Sequence, residues 1–167
     1  KREKRLLDCL HYENGYSLYI GIPFCPTTCL YCSFTSYPIC SWKNRMDEYL
    51  EAVFKEIDYV AEAYDDKILD TVYIGGGTPT ILTAAQLRML LGTIAEMTNV
   101  HSLEEYTLES GRPDTITAEK MAVAKAYGVT RVCVNPQTMC NEVLQEIGRL
   151  HSAEDFLQVR SIAAREG

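Results

Sequence analysis

Apolar residues follow two different spacings along the chain, and the change from one to the other predicts where strands and helices lie. Short apolar runs that stop at glycine or proline, such as residues 17–22 and 68–74, indicate buried strands. Apolar residues three or four positions apart between these runs indicate helices, the longest of them over residues 42–64. The other predicted elements are strands at 105–109 and 130–134, helices ending near residues 97, 127, 147 and 166, and N-caps at Thr83, Thr117 and Ser152.

Strand and helix alternate four times, which predicts right-handed βαβ units around a parallel sheet of about four strands. Four such units are half of an eight-stranded (β/α) barrel, so the expected fold class is α/β, a partial TIM-like barrel. A small flavodoxin-like sheet is the alternative. Residues 1–15 are predicted to be a linker or a short helix, and residues 16–167 to form the barrel half, truncated at its carboxyl end.

The net charge and the hydropathy of the chain indicate which partners to expect and whether the chain could cross a membrane. The formal net charge is −7 and no basic surface stands out, so a phosphate backbone would be repelled and nucleic acid is not expected as a partner. No apolar run reaches the ~18 residues that a membrane span needs. No signal peptide precedes the first strand. We therefore expect a cytoplasmic protein.

Three of the seven cysteines crowd into one short loop after the first predicted strand. Cys25, Cys29 and Cys32 have the spacing C-x₃-C-x₂-C, and cysteine thiolate is the usual ligand of an iron–sulfur cube. Because a four-iron cube takes four outside ligands, three cysteines leave one iron open to bind a small molecule. A zinc site with Cys40 as a fourth ligand, or inert buried thiols, are the alternatives. Outside those alternatives the other four cysteines, Cys9, Cys40, Cys133 and Cys140, are expected to be structural or incidental, with Cys133 in the core.

Polar or glycine-rich segments follow each of the four predicted strands. The cysteine loop follows the first strand, residues 75–77 (three glycines) the second, Glu109 the third and Gln137 the fourth. The carboxyl ends of parallel strands meet at one edge of a sheet, where α/β proteins place their active sites. We therefore expect these four features to share one site. Glycines at a strand end also let the backbone approach a ligand closely, although a simple tight turn is the alternative.

Five segments of the chain match a known pattern when taken together. They are residues 19–32, which carry the cysteine spacing, 75–80 (GGGTPT), 109–113 (ESGRP), 135–137 (NPQ) and 148–149 (GR). With these motifs in this order, the chain resembles the oxygen-independent coproporphyrinogen III oxidase (dehydrogenase) family of the radical S-adenosylmethionine (SAM) superfamily. The cysteine spacing alone indicates the superfamily, and the glycine segment in register with it narrows the resemblance to this family.

The resemblance implies two cofactors and a set of residues that hold them. A [4Fe–4S] cluster would be bound by Cys25, Cys29 and Cys32, and SAM would bind to its open iron. The reduced cluster would then cleave SAM to methionine and a 5′-deoxyadenosyl radical. The implied SAM-binding residues are Tyr19, Tyr31 (through its backbone), Gly76, Gly77, Thr78, Glu109, Gln137 and Arg149.

The same resemblance implies a function in porphyrin and haem biosynthesis, the oxidative decarboxylation of coproporphyrinogen III to protoporphyrinogen IX. Members with this activity usually carry a further cysteine where this chain has Phe34. Haem-chaperone relatives share that difference, so a haem-binding chaperone without the activity is one alternative, and another radical SAM reaction is a second. The implied partners are a tetrapyrrole and an electron donor such as a flavodoxin or ferredoxin.

Three further expectations concern single residues and the open edge of the sheet. Arg112 is expected to pair with Glu109, to contact a propionate or to lie on the surface. His151 is expected either to face the tetrapyrrole or to begin a helix at the surface. The fourth strand has no predicted neighbour on one side, so we expect the segment to self-associate there or to cover that edge with its own terminal residues.

Overall fold

Four parallel strands form the central sheet of the structure, a computed structural model that describes residues 10–11 and 13–166. In chain order the strands are β1 (Gly15–Ile22), β2 (Phe24–Cys25), β3 (Tyr37–Pro38), β4 (Ile68–Gly76), β5 (Glu105–Ser110) and β6 (Arg131–Val134). The sheet consists of β1, β4, β5 and β6 side by side in that order, each parallel to its neighbour. The two-residue strands β2 and β3 form a separate parallel pair.

Helices connect the strands of the sheet and pack on one of its faces. In chain order they are α1 (Ile39–Trp42), α2 (Met46–Ala63), α3 (Ala84–Met97), α4 (Ala118–Ala126), α5 (Asn141–Glu146) and α6 (Ala153–Glu166). Short 3₁₀ turns occupy Lys43–Arg45, Pro79–Ile81, Val100–Ser102 and Pro113–Thr115. Alternating parallel strands and helices confirm the predicted α/β class and the sheet of four strands.

Local hydrogen bonds explain why the helices begin where the sequence predicts. The Thr83 hydroxyl accepts a hydrogen bond from the Gln86 N–H, and the Gln86 side-chain oxygen accepts one from the Thr83 N–H, which completes a capping box. Thr117 caps α4 with one such bond, since its hydroxyl accepts from the Lys120 N–H, and Gly128, with a φ of 81°, follows the end of the helix. Ser152 accepts a hydrogen bond from the third residue after it and so caps α6.

The hydrophobic core lies between the sheet and its helices. Side chains alternate between the two faces of a strand, and every second residue of β1, β4, β5 and β6 points to the helices. The buried strand residues of the main cluster include Ile20, Ile22, Val72, Ile74, Tyr106 and Leu108. The helical residues packed against them include Leu50, Val53 and Ile57 of α2, and Leu87, Leu90, Leu91 and Ile94 of α3.

The opposite face of the sheet carries polar and aromatic side chains. Tyr19 of β1 stacks on Tyr73 of β4, and Arg131 of β6 forms an ion pair with Glu105 of β5. Cys133 pairs in register with Glu109 and therefore lies on this face, half-buried and outside the hydrophobic core. Its predicted place in the core is wrong, because the register of β6 turns its side chain away from the helices. In a (β/α) barrel this is the face that lines the interior.

Some expectations fall on parts of the chain that the structure does not test. Residues 1–9, with most of the predicted linker or helix and with Cys9, lie outside the described residues. Within those residues β6 pairs only with β5, so self-association through its free edge stays a prediction. Across the described part of the chain, no helix combines the length and the apolar character that a membrane crossing requires.

The packing of α3 predicts a contrast between two neighbouring residues. Leu90 is fully buried, whereas Met89 is 56% exposed. Leu90→Ala should lower the free energy of unfolding by about 2–5 kcal/mol, because it removes buried methyl groups and leaves a cavity. Met89→Ala should change it by less than about 0.5 kcal/mol. Chemical denaturation measures both, and equal effects would contradict the assigned face of α3.

Candidate functional site

A cavity of about 150 Å³ opens at the carboxyl edge of the sheet. It is lined by ten of the eleven residues that the sequence assigned to cofactors: Cys25, Cys29, Cys32, Tyr31, Gly76, Gly77, Thr78, Glu109, Gln137 and Arg149. Phe34, Gly111, Arg112 and Asn135 complete the lining. The structure therefore brings together segments that follow four different strands. The individual roles assigned to these residues stay predictions.

Hydrogen bonds hold the cysteine loop, residues 25–32, against the turn that follows α5. The Leu30 N–H donates to the Ile147 carbonyl oxygen at 3.0 Å, and the Thr27 hydroxyl donates to the Gly148 carbonyl oxygen at 3.2 Å. Within the loop, the Cys32 N–H donates to the Cys29 carbonyl oxygen at 3.0 Å. The cysteine loop, which follows β1 in the chain, is therefore held in shape by hydrogen bonds to a segment that follows β6.

The Cys25 thiol lies 3.3 Å from the hydroxyl of Thr78, which is fully buried. Burial raises the pKa of the Cys25 thiol, while the Thr78 hydrogen bond and the Arg112 charge act in the opposite direction. A thiol must lose its proton to bind a metal, so these two neighbours favour the binding form. The Thr78 side chain thus contacts Cys25, and the contact of Thr78 with SAM stays a prediction.

The three thiols surround a cavity instead of converging on one point. Among residues 10–11 and 13–166, no group of three or more His, Cys, Asp or Glu side chains is gathered closely enough to hold a single metal ion. A four-iron cube takes each thiolate on a different iron, so its ligands line a cavity in the way that Cys25, Cys29 and Cys32 do. Cys40, the fourth ligand considered for zinc, is exposed and does not line the cavity.

The glycine turn after β4 lies in direct contact with the cysteine loop. Gly76 has a φ of 107°, a conformation that other residues rarely adopt. A Cβ added to Gly77 would lie 2.9 Å from the Phe24 carbonyl oxygen and 3.0 Å from the Cys25 sulfur. The Gly77 N–H also donates to the Ile22 carbonyl oxygen at 2.8 Å. Glycine is required here because any side chain would displace the loop that carries Cys25.

Glu109, near the end of β5, presents a half-buried carboxylate to the cavity. The neighbouring Gly76 N–H and Tyr73 hydroxyl act to lower the pKa of this carboxyl and so favour its charged form. Burial is the larger effect and raises the pKa of Glu109 above its ordinary value. A cationic group in the cavity would offset that cost, so Glu109 is suited to bind an ammonium or sulfonium.

Arg149 contributes a buried guanidinium to the same cavity. It donates hydrogen bonds to the Tyr31 hydroxyl at 2.8 Å, to the Gly111 carbonyl oxygen at 2.8 Å and to Gln137 Oε1 at 3.1 Å. Each of these acceptors is neutral, and no ion pair involves Arg149 among the described residues. A buried cation with neutral partners is suited to bind a carboxylate. Tyr31 reaches this site through its side chain as well, in addition to the backbone contact that was predicted.

Tyr19 is the one predicted site residue that does not line the cysteine cavity. Its side chain is 61% exposed and stacks on Tyr73, with ring centroids 5.8 Å apart. The two tyrosines line a neighbouring cavity of about 590 Å³ together with Phe34, Gly76 and Glu109. Three of these residues also line the first cavity, so Tyr19 lies beside the cysteine site and faces the wider opening.

Arg112 and His151 depart from their expected positions. Arg112 is buried and forms a bidentate ion pair with Asp114, so its expected pairing with Glu109 is wrong and so is the surface alternative. His151 is also buried, with Nε2 3.1 Å from the Pro136 carbonyl oxygen, and it lines neither cavity. The sequence signal for Arg112 was the acidic residue two positions later, which can chelate a guanidinium that turns inward.

Fold and site define an α/β protein of partial-barrel form, with a three-cysteine loop against a glycine turn at the carboxyl edge of a parallel sheet. The chain belongs to the Radical SAM superfamily, whose sequence pattern matches residues 19–167. Membership implies a [4Fe–4S] cluster and SAM as cofactors. The chemistry of the cavity lining suits both groups, because three thiols line it and because Glu109 and Arg149 offer opposite charges without ionic partners among the described residues.

Individual relatives agree with this membership. The chain is 38% identical over 164 residues to the oxygen-independent coproporphyrinogen-III oxidase-like protein HemZ of Bacillus subtilis, covering 96% of this chain and 32% of HemZ. It is 39% identical over 140 residues to the heme chaperone HemW of the same organism, covering 83% of this chain and 36% of HemW. The solved structure of coproporphyrinogen III oxidase (HemN) from Escherichia coli superposes with a TM-score of 0.81 at 26% identity, over 100% of this chain and 38% of HemN. The chain thus spans about a third of the length of these relatives.

The glycine turn generates a prediction about cofactor loading. Gly77→Ala should sharply reduce the iron bound after anaerobic reconstitution, because the new Cβ would push against the Cys25 sulfur and the Phe24 backbone. Gly92→Ala is the matched control, since a Cβ there meets only the Tyr127 side chain in ordinary contact, at 3.7 Å from a ring carbon and 3.9 Å from the hydroxyl oxygen. Iron analysis and the visible absorption of the cluster measure the effect. Equal loading of both variants would contradict the contact described.

The raised pKa of Glu109 predicts a pH dependence of stability before cofactors are loaded. The folded chain holds this proton more tightly than the unfolded chain does, so the stabilisation is fully present below the ordinary glutamate pKa. It is lost as the pH rises through the raised pKa of the folded state. Glu109→Gln cannot ionise, so its stability relative to the parent chain should begin to rise above the ordinary glutamate pKa and reach its full gain above the raised pKa of the folded state.

Thermal unfolding across pH measures this difference, and Glu51→Gln on the exposed side of α2 is the control. The control should follow the parent chain at every pH. If Glu109→Gln also follows the parent chain throughout, burial does not govern the ionisation of Glu109.

Proposed function

We propose that Cys25, Cys29 and Cys32 bind the [4Fe–4S] cluster and leave one iron open for SAM. The single observation that carries this proposal is the shared cavity, where three thiols face the glycine turn and two unpaired charged groups. Arg112 and the Thr78 hydroxyl favour the thiolate form at Cys25.

The charged groups of the cavity match the amino-acid end of SAM. Arg149 and Gln137 would bind its carboxylate, in place of the Tyr31 hydroxyl that Arg149 now holds. Glu109 would accept hydrogen bonds from the ammonium group, which would lower the raised pKa of this carboxyl. The backbone of residues 76–78 would lie along the methionine part, where glycine leaves room for close approach.

When bound, the reduced cluster supplies the electron that breaks a carbon–sulfur bond of SAM, giving methionine and a 5′-deoxyadenosyl radical. Residues of this chain would position SAM for that step. Tyr19, Tyr73 and Phe34 form an aromatic wall beside the cavity, on the side where a substrate would enter. The electron donor would be a flavodoxin or a ferredoxin.

The proposed substrate of the whole protein is coproporphyrinogen III, decarboxylated oxidatively to protoporphyrinogen IX. Likeness to HemZ over 96% of the chain supports this choice, as does the superposition on HemN. The aromatic wall offers apolar contact to the individual pyrrole rings of coproporphyrinogen III, whose sp³ bridging carbons prevent the macrocycle from being flat, because apolar ring surfaces pack well on aromatic side chains.

A haem-chaperone function is the second candidate, and Phe34 is the observation that favours it. This side chain is highly exposed and lines both cavities, at the position where decarboxylating members carry a further cysteine. The chain is also 39% identical to HemW over the matched residues. In this candidate the cluster and SAM are retained and haem binds to the full-length protein.

The two candidates are separated by assays on the full-length, anaerobically reconstituted protein. Dithionite, SAM and coproporphyrinogen III should yield 5′-deoxyadenosine together with protoporphyrinogen. Tight stoichiometric haem binding without protoporphyrinogen would instead establish the chaperone. Cys29→Ala should lose the cluster absorption and 5′-deoxyadenosine formation, whereas Cys40→Ala, at an exposed thiol outside the cavity, should keep both. Survival of the cluster in Cys29→Ala would contradict the ligand assignment.

A further inference from the structure

Arg112 places a buried positive charge directly against the cysteine loop. The residue is 2% exposed and precedes the 3₁₀ turn Pro113–Thr115. Its Nη1 lies 3.6 Å from the Cys29 sulfur, within the range of an N–H···S hydrogen bond. The same nitrogen approaches the Thr27 hydroxyl at 3.3 Å and the Thr27 carbonyl oxygen at 3.4 Å. Arg112 thus joins the end of β5 to the loop that carries the thiols.

A carboxylate compensates this buried charge from the opposite side. Asp114 accepts hydrogen bonds from Arg112 Nε at 3.1 Å and from Nη2 at 3.2 Å. Burying such a pair costs desolvation energy that neutral groups would avoid, so a role as a mere clamp on Thr27 would not require a guanidinium. The charge itself matters most where a negative charge develops, and the nearest such place is the Cys29 thiolate.

Other cations of the site do not share this position. Arg149 lines the same cavity, but its hydrogen bonds go to Tyr31, Gly111 and Gln137. Within residues 10–11 and 13–166, Arg112 is the one cationic side chain that hydrogen-bonds to a cysteine sulfur. Hydrogen bonds and charge at ligand sulfurs are among the factors that set the reduction potential of an iron–sulfur cluster.

We infer that Arg112 is a positioning residue that raises the reduction potential of the cluster by donating a charged hydrogen bond to the Cys29 thiolate, with Asp114 moderating its effect. Reduction adds one electron from an external low-potential donor, and so one negative charge, to the cluster and its thiolates. A fixed cation stabilises the more negative state over the less negative one. This inference rests on the proposed ligand role of Cys29.

The pair predicts shifts of opposite sign when either partner loses its charge. Arg112→Gln removes the cation and should make the midpoint potential more negative. Asp114→Asn leaves the cation uncompensated and should make it less negative. For Arg112→Gln we expect at least a tenfold fall in the ratio of reduced to oxidised cluster at a fixed poise, equal to about 59 mV for one electron.

The test is a redox titration with dithionite, followed by electron paramagnetic resonance, on the full-length reconstituted protein without SAM. Arg45→Gln is the matched control, because Arg45 also forms a bidentate pair with a nearby carboxylate, Glu48, but is exposed and lies away from the cavity. It should leave the potential unchanged. Opposite shifts in the two site variants, at full iron content, support the inference.

Unchanged midpoint potentials in Arg112→Gln and Asp114→Asn, with the cluster fully loaded, would overturn the inference that Arg112 raises the reduction potential. If Arg112→Gln fails to load iron, the midpoint potential of Asp114→Asn decides alone. Its predicted shift is positive, and a merely loosened cysteine loop gives no reason to expect that sign. If the parent protein binds no cluster at all, or if the Cys29→Ala variant keeps its cluster, the proposed function itself is overturned. Either result differs from unchanged midpoint potentials in fully loaded protein, which overturn only the inference about Arg112.

Discussion

The contact between the glycine turn and the cysteine loop determines the geometry of the site. Gly77 approaches the Phe24 backbone and the Cys25 sulfur so closely that no side chain fits between them. The contact exists because β1 and β4 are adjacent and parallel, which brings the residues after each strand to one edge. Thiols, glycine backbone and the charged residues after β5 and β6 are therefore held around one cavity by the sheet itself.

Charge at this edge is arranged in two different ways. Arg149 donates to neutral hydrogen-bonding partners, and Glu109 lies beside the neutral Gly76 backbone and Tyr73 side chain, so each can receive an opposite charge from a ligand. Arg112 is different, because Asp114 already balances it and its remaining donors point to the cysteine loop. The first arrangement suits a zwitterionic amino-acid group, and the second suits thiolates whose negative charge changes with oxidation state. The proposed binding of SAM and the proposed tuning of the cluster therefore rest on separate residues.

Much of this arrangement can be predicted from sequence because it depends on local periodicity and on strand order. The N-caps, the four long strands and the shared edge all follow from those two properties. Contacts between segments that are far apart in the chain cannot be predicted from local periodicity or strand order. Arg112 meets Thr27 across 85 residues, Tyr19 turns into the neighbouring cavity, and Cys133 lies on the polar face through the register of β6. The strands β2 and β3 are too short to show any period.

Mössbauer spectroscopy of the full-length protein, reconstituted with isotopically enriched iron, tests most directly whether three thiols leave one iron of the cluster open. Addition of SAM should change the signal of one of the four irons, the one without a cysteine ligand, and leave the other three nearly unchanged. Four equivalent irons that do not respond to SAM, or iron bound in any form other than a four-iron cube, would contradict the account.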